Sequence, residues 1–393
     1  MADILTLRKF EALSPFEIKD ELISLAKSSS KRTQTAFLNA GRGNPNWVAT
    51  TPREGFFLLG QFAITESRRV MEHPSGIGGM PQARGIASRF EAWLEKHSDM
   101  PGAGFLSAML PFAVEKFGFE PDAFVHELVD SIIGDNYPVP DRMLAHNERI
   151  VQEYLMWAMC GNPRPAGKFD LYAVEGGTAA MCYIFKSLKA NRLLRPGDTI
   201  ALGTPIFTPY IEMTHLEDYA LNVVQIKSPQ ENRFQYTDEE IRKLEDPKVK
   251  AFFVVNPANP SGMGMSSETI AKLTNLVRTK RPDLMLLTDD VYGTFVHGFR
   301  SLLGELPRNT IGVYSYSKYF GCTGWRLGVI AVHEDNIFDQ MIAKLPESEM
   351  KALDKRYGPL TLEPRKLRFI DRIVADSRDV ALNHTAGLSL PQQ

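Results

Sequence analysis

The stretch IGVYSYSKYFGCTGWRLGVIAV, residues 311–332, contains two short β-rich runs separated by a polar segment with two glycines. The first run, 311–315, ends in serine and is followed by Ser317 and Lys318, and the second run covers 327–332. Short runs of β-branched and aromatic residues bounded by turn residues predict strands. The stretch therefore predicts one strand, a polar loop and the next strand.

Five further β-rich runs precede this stretch and alternate with amphipathic segments. The runs are 171–174, 199–202, 221–226, 250–255 and 284–288, and the helical patterns include 178–190, 237–245 and 266–280. Strands that alternate with helices predict a largely parallel sheet covered on both faces. The sequence therefore predicts an α/β fold, in which ligands collect beyond the carboxyl ends of the strands.

Composition and charge limit the class of protein. The 393 residues are 44% hydrophobic and 23% charged, with a formal net charge of −2, which is typical of a globular chain without a basic face for nucleic acid. No run approaches the roughly 18 to 20 apolar residues that a membrane span needs. The three cysteines have neither disulfide nor zinc-ligand spacing. We therefore expect no nucleic acid partner, no membrane span, no metal site and a cytoplasmic location.

Short segments, most of them polar, follow most of the predicted strands. They are Glu175-Gly176-Gly177-Thr178, Pro205-Ile206-Phe207, Asn256-Pro257, Asp289-Asp290-Val291-Tyr292 and Ser315-Tyr316-Ser317-Lys318, with Arg326 eight residues beyond the lysine. Each alone is typical of an ordinary turn, and a lysine in such a segment is usually exposed to solvent. Together and in this order they closely resemble the class I and II, fold-type I aminotransferases.

This resemblance implies an enzyme that depends on pyridoxal 5′-phosphate (PLP). Lys318, within Ser315-x-x-Lys318, would hold the cofactor as a Schiff base and afterwards move the substrate's Cα proton. Asp289 would keep a proton on the pyridine nitrogen, which makes the ring a better electron sink. Tyr292 and Asn256 would bind the 3′-oxygen of the cofactor.

The resemblance also implies a phosphate site. A dianionic phosphate is bound by N–H groups at a helix N-terminus, by hydroxyls and by a guanidinium group. The candidates for these roles are Gly177, Thr178, Ser315, Ser317 and Arg326. Phe207 lies where the family stacks an aromatic ring on the pyridine, although a phenylalanine at this position also suits an ordinary core.

Longer blocks narrow the resemblance. The segments 12–20 (ALSPFEIKD), 38–46 (LNAGRGNPN), 134–144 (GDNYPVPDRML), 175–180 and 383–387 (NHTAG) resemble bacterial aspartate 4-decarboxylases. That resemblance implies conversion of L-aspartate to L-alanine and CO2, with aspartate:2-oxoglutarate aminotransferase activity on 2-oxo acids as a side reaction. It also implies a homodimer or a larger homo-oligomer.

Three of these blocks supply candidates for substrate and subunit contacts. Arg42 and Gly43 are expected to bind the substrate, with the β-carboxylate on Arg42, since ligand contacts often lie on flexible loops. Arg42 as a solvated loop arginine or a subunit contact is the alternative. Tyr137 and Thr385 are candidates for contact with a phosphate or with a neighbouring subunit's site.

The resemblance divides the chain into three parts. Residues 1–150 are expected to form an N-terminal helical extension, the substrate loop and a family-specific insertion. Residues 151–340 are expected to form the PLP-binding large domain, with a mainly parallel seven-stranded sheet, and 341–393 the start of a small domain. The resembling family continues past the segment that matches 391–393 and carries there an arginine for the substrate's α-carboxylate, so an incomplete small domain is expected.

Other functions stay open at this point. A plain aspartate or broad amino-acid aminotransferase would carry the same cofactor residues, and a PLP-binding remnant with little turnover would follow if nothing replaced the missing segment. Ser315-x-x-Lys318 also matches the Ser-x-x-Lys of penicillin-recognising hydrolases, but the companion Ser-Asp-Asn and Lys-Thr-Gly elements are absent from the sequence. The segment 76–81 contains glycines but lacks the third glycine and the preceding strand of a dinucleotide-binding motif, so dinucleotide binding is not expected.

Overall fold

A computed structural model describes residue 13 and residues 15–33, 43–378 and 387–393. The chain divides into two compact units, 1–46 and 47–393. In the first unit, helix α1 (Pro15–Thr33) is an amphipathic helix with an acidic residue, Glu17, in its first turn and basic residues in its last turn. This charge distribution favours the helix because it complements the helix dipole.

Five helices precede the sheet along the second unit. They are α2 (Thr50–Val70), α3 (Ile86–Lys96), α4 (Ala103–Phe117), α5 (Pro121–Ile133) and α6 (Ala145–Met159). Apolar residues recur at helical spacing, so that Phe62, Phe90, Leu106 and Phe124 of α2 to α5 share one buried core. Burying each such side chain contributes roughly 1.5–3 kcal/mol. These four helices therefore form a layer with a core of its own.

The centre of the second unit is a seven-stranded sheet. Its strands are β1 (Phe169–Val174), β2 (Thr199–Thr204), β3 (Asn222–Lys227), β4 (Val249–Val255), β5 (Met285–Asp289), β6 (Thr310–Ser315) and β7 (Gly328–His333). Their order is β1-β7-β6-β5-β4-β2-β3. The pairs from β3 across to β6 are parallel, and β7 is antiparallel to both β1 and β6. The predicted seven-stranded, mainly parallel α/β sheet is thus confirmed.

Helices cover both faces of this sheet. They are α7 (Gly177–Ala190), α8 (Thr208–His215), α9 (Asp238–Arg242), α10 (Ser267–Thr279), α11 (Leu302–Glu305), α12 (Ile337–Ala343), α13 (Glu347–Tyr357) and α14 (Phe369–Ser377). Successive residues of β4 point to opposite faces: Phe253 shares a core with Phe185 of α7, and Phe252 shares another with Leu273 of α10. Among the helices described, none is long and apolar enough to cross a membrane.

A buried polar network connects α14 to α7. Asp376 has no exposed surface and accepts hydrogen bonds from Ser187 at 2.6 Å and from the Tyr357 phenol at 3.0 Å. It also forms an ion pair of 2.9 Å with Arg356. Residues of α12, α13 and α14 share the core of the sheet with α7. The proposed boundaries at residues 150 and 340 remain predictions.

Candidate functional site

The carboxyl ends of β1, β4, β5 and β6 bring the predicted cofactor residues together. In the sheet register, Val174 and Ser315 both pair with Gly328, and Asp289 pairs with Val255. α7 begins at this edge. A Cβ atom placed on Gly177 would lie 3.5 Å from Oδ2 of Asp289 and 3.8 Å from Cβ of Ser315. The start of α7 and the ends of β5 and β6 therefore face one another.

Asp289 is the carboxylate at the centre of this edge, with 5% of its surface exposed. Its Oδ2 accepts a hydrogen bond of 2.5 Å from the Tyr210 phenol, and its Oδ1 accepts one of 3.1 Å from the Val291 N–H. Burial raises the pKa of Asp289, and the two donors and the charge of Lys318 oppose that rise. A buried carboxylate held by two donors is suited to binding a protonated ring nitrogen.

Asn256 has a buried amide donor that the described residues leave unsatisfied. Its backbone N–H donates to the Asp289 carbonyl at 2.9 Å, and its Oδ1 accepts from the Met265 N–H at 2.9 Å. Its Nδ2 is buried and has no hydrogen-bond partner in the described part of the chain. Such an unpaired donor costs about 1–3 kcal/mol. The residue therefore fits a ligand acceptor, such as the 3′-oxygen of PLP.

Tyr292 follows β5, the strand paired with β4, and is partly buried. Burial raises its pKa, and the negative charge of Asp289 raises it further. Its phenol oxygen accepts a long hydrogen bond of 3.5 Å from Nδ2 of Asn259. Tyr292 therefore keeps its proton at neutral pH and has an O–H to donate to a ligand oxygen.

Lys318 follows β6 and is partly buried. Burial lowers the pKa of its ammonium group, and the charge of Arg326 lowers it further, whereas Asp289 raises it. A lysine with a lowered pKa has more of the neutral amine that can act as a nucleophile or base. This environment suits both roles predicted for Lys318.

Arg326 lies across the start of α7. Its guanidinium group donates to the Glu175 carbonyl at 3.1 Å and to the Thr323 carbonyl at 2.9 Å. Gly176 has φ +89°, and a Cβ there would lie 2.5 Å from Nη2 of Arg326, so only glycine leaves room for the guanidinium group. A guanidinium group beside free N–H groups at a helix N-terminus makes an anion site.

The predicted phosphate hydroxyls occupy different environments. Ser315 and Ser317 are buried, and Oγ of Ser315 donates to Oγ of Ser317 at 3.0 Å. Thr178, in the first turn of α7, is exposed. The structure thus places Ser315, Gly177 and Arg326 at one edge, with Thr178 on the solvent side.

Tyr210 was not predicted from the sequence and has a clear role in the geometry. It lies on α8, is 1% exposed, and is the residue that donates to Asp289. Phe207 is partly buried just before α8, with its ring centre 5.4 Å from that of Tyr210. The Tyr210 N–H donates to the Phe207 carbonyl at 3.0 Å, so the spacing of three residues across the start of a helix is the signal that could have identified Tyr210.

For four of the predicted residues the structure gives no position at this edge. Arg42 and Thr385 lie outside the described residues. Gly43 is an exposed residue of the unit 1–46, and Tyr137 is 68% exposed in the connection between α5 and α6. Their substrate and subunit roles remain predictions.

Comparison with known proteins identifies a matching family and several similar proteins. Residues 176–345 match the family described as aminotransferase class I and II. The chain is 53% identical, over 387 residues, to a bifunctional aspartate aminotransferase and L-aspartate beta-decarboxylase of a Pseudomonas species, with 98% of this chain and 72% of that protein covered. An asparagine–oxo-acid transaminase of Streptococcus mutans is 28% identical over 185 residues, which cover 44% of this chain and 45% of that protein. A solved Thermus thermophilus aspartate aminotransferase tetra mutant has a TM-score of 0.45 and 20% identity over 64% of each chain.

Proposed function

The chain belongs to the class I and II aminotransferases, and from that premise we propose that it is a PLP-dependent enzyme that converts L-aspartate to L-alanine and CO2. We include aspartate:2-oxoglutarate aminotransferase activity in the proposal. The observation that supports the cofactor is the buried, unpaired Nδ2 of Asn256, whose backbone N–H binds the Asp289 carbonyl. The relative that is 53% identical supports the substrate, because it covers nearly the whole chain.

Three residues would orient the ring of PLP, which supplies an electron sink when it is bound. Asp289 would hold a proton on the ring nitrogen, and its two hydrogen-bond donors support the ionised carboxylate that this requires. Asn256 would donate its unpaired N–H to the 3′-oxygen. Tyr292 would donate its O–H to the same oxygen, since its raised pKa keeps it protonated.

The start of α7 would bind the phosphate. Free N–H groups of the first turn, from Gly177 and Thr178 onward, attract an anion. Arg326 already lies across this turn, and Ser315 and Ser317 are close in the sheet and the following loop. This set combines one positive charge with hydroxyl and backbone donors, as a dianion requires.

Lys318 would move the proton of the substrate. Its lowered pKa increases the fraction of neutral amine, so that Nζ can take the proton from Cα and return it. Whether the β-carboxylate then leaves as CO2 depends on the groups that hold it, for which Arg42 and Gly43 are our candidates. Tyr137 and Thr385 would contact a neighbouring subunit in a homodimer or larger homo-oligomer. A cytoplasmic location is part of the same proposal.

The test of this function uses the full 393-residue chain mixed with PLP. We expect a visible absorbance band that is absent in Lys318→Ala and present in Lys366→Ala, a matched control because Lys366 is a surface lysine in an ion pair with Glu363. L-Aspartate without any 2-oxo acid should then yield L-alanine and CO2 in equal amounts. The absence of a lysine-dependent band would contradict the proposal.

The same assay separates the two alternatives. Oxaloacetate formed only when 2-oxoglutarate is present, without CO2, would identify a plain aspartate aminotransferase. A band that depends on Lys318 but gives no product with either substrate mixture would identify a cofactor-binding protein with little turnover.

A further inference from the structure

Two backbone hydrogen bonds close the turn that follows Lys318. The Gly321 N–H donates to the Lys318 carbonyl at 3.1 Å, and the Cys322 N–H donates to the Ser317 carbonyl at 3.1 Å. The carbonyls of Tyr319, Phe320 and Gly321 point to partners elsewhere in the chain. The backbone next to the lysine therefore depends on an external segment.

That segment is 47–53, at the start of α2. The indole N–H of Trp47 donates to the Tyr319 carbonyl at 3.0 Å, and the Ala49 N–H donates to the Phe320 carbonyl at 3.1 Å. The two segments are about 270 residues apart in the sequence, with separations of 267, 268 and 272 residues for the side-chain bonds. Two successive carbonyls of the turn are thus held from outside.

Arg53 holds the third carbonyl and links the two segments. Its Nη2 donates to the Gly321 carbonyl at 2.8 Å, and its Nη1 donates to the Phe320 carbonyl at 3.2 Å and to the Ala49 carbonyl at 2.5 Å. The side chain is partly buried, and hydrogen bonds from a charged donor are stronger than neutral ones. Arg53 therefore holds the turn and the segment 47–53 together.

The fit between the two backbones is close. Gly321 has φ +59°, and a Cβ atom at this position would lie 2.1 Å from the Trp47 carbonyl oxygen. The Trp47 ring also contacts Phe295, which in turn contacts Tyr319, with ring centres 5.9 and 5.4 Å apart. The turn has little freedom to shift while Trp47 stays in place.

We propose that Arg53 and Trp47 are positioning residues for Lys318. By fixing the three carbonyls that follow the lysine, they set the direction from which its long and flexible side chain enters the site. A base acts efficiently only when it is held close to the proton that it moves. This inference rests on the proposed function, because it assigns the two residues to the reaction of Lys318.

The first measurement is amide hydrogen exchange of the full chain, without and with PLP, over the peptide 316–322. Arg53→Ala and Trp47→Phe each remove donors to the turn, so we expect exchange in this peptide to become about tenfold faster. Arg69→Ala is the matched control: Arg69 lies on the same helix but binds Glu66 at 3.1 Å instead of the turn. It should leave the peptide unchanged.

The second measurement separates positioning from general stability. In the aspartate assay, Arg53→Ala should lower kcat about tenfold and leave the KM for L-aspartate unchanged, because the lost bonds do not touch the substrate. Arg53→Lys should recover part of kcat. A cavity of about 350 Å³ borders Arg53, so added guanidinium ion should enter it and restore activity to Arg53→Ala.

Three results would overturn the proposal: unchanged exchange in Arg53→Ala and Trp47→Phe, equal acceleration in Arg69→Ala, or a change in KM alone. If Arg53→Ala does not fold, Trp47→Phe decides the question, because it removes one N–H donor and keeps an aromatic ring. If the wild-type chain shows no Lys318-dependent absorbance band, the proposed function fails. Exchange without PLP still reports whether 47–53 fixes the turn.

Discussion

The phenol of Tyr210 donates a hydrogen bond of 2.5 Å to Oδ2 of Asp289. Both side chains are buried, with 1% and 5% of their surface exposed. Burial raises the pKa of Tyr210 well above its ordinary value, and the charge of Asp289 raises it further. Tyr210 therefore stays a hydrogen-bond donor and supports the ionised form of Asp289. Asp289 is the carboxylate that we propose binds the ring nitrogen of PLP.

Replacing Tyr210 by phenylalanine should weaken PLP binding. The change removes a donor that lowers the pKa of Asp289, so less of the carboxylate is ionised. A hydrogen bond to a charged group contributes about 1.5–3 kcal/mol, which corresponds to a Kd for PLP at least about tenfold higher. Tyr357→Phe is the control, because it removes a similar bond, of 3.0 Å, to the buried Asp376. A titration that gives equal Kd values for all three proteins would contradict the assignment.

Asn256→Asp should weaken PLP binding while preserving the local fold. The new carboxylate can still accept the Met265 N–H bond, which is 2.9 Å long in the present structure, but it replaces the unpaired N–H donor by a negative oxygen. Repulsion from the 3′-oxygen should raise the Kd for PLP by about tenfold or more.

Asn309→Asp serves as the comparison for this substitution. Nδ2 of Asn309 donates to the carbonyls of Pro282 and Leu284 at 3.0 and 3.1 Å, so the change should lower the free energy of unfolding and leave the Kd for PLP unchanged. If Asn256→Asp behaved in the same way, Nδ2 of Asn256 would have no part in binding the cofactor.

The stability of the protein should depend on pH through Asp290. Burial raises the pKa of Asp290 to about 7. The hydroxyl donors Ser301 and Thr288 lower this pKa, and the charge of Asp289 raises it. The folded pKa is higher than the unfolded value of 3.8, so the unfolded chain loses this proton first as the pH rises. The contribution of Asp290 to the free energy of unfolding is therefore complete below about pH 4 and is lost as the pH rises from about 4 to 7.

Asp290→Asn tests this dependence. Asparagine stays neutral and can still accept from one hydroxyl, so urea unfolding at pH 5 and pH 8 should show a smaller loss of stability on raising the pH than in the wild type. The expected difference is on the order of a few kcal/mol. Equal losses in the two proteins would show that Asp290 is ionised throughout this range.

Asp376→Ala should destabilise the fold strongly. The carboxylate is fully buried and binds Ser187, Tyr357 and Arg356, so its removal takes a hydrogen-bond acceptor from two buried hydroxyls and the counter-charge from a partly buried guanidinium group. Breaking a buried ion pair costs about 3–5 kcal/mol. Arg365→Ala, which removes ion pairs of 2.8 Å on an exposed surface, should cost less than about 1 kcal/mol. Urea unfolding of both variants checks the contrast, and similar losses would contradict it.

Much of the fold could be predicted because its signals are local. Each of the seven β-rich runs became a strand, with ends shifted by one or two residues, since a run such as 250–255 is apolar enough to be buried on both faces of a sheet. Most of the cofactor candidates lie at or shortly after the ends of those strands, and their roles remain predictions. The antiparallel direction of β7 could not, because hydrogen bonding between strands depends on the path of the whole chain.

The sequence by itself determined the type of fold and which polar residues stand at its edge. Asp289 ends one strand, and Asn256 and Lys318 come after two others, and each of these strands is specified locally by its own residues. Only the tertiary structure decided that Tyr210 meets Asp289, and that Trp47 and Arg53 hold the turn after Lys318. The physical reason is distance along the chain. Contacts between segments 79 to 272 residues apart depend on how helices pack on the sheet, which no local pattern encodes.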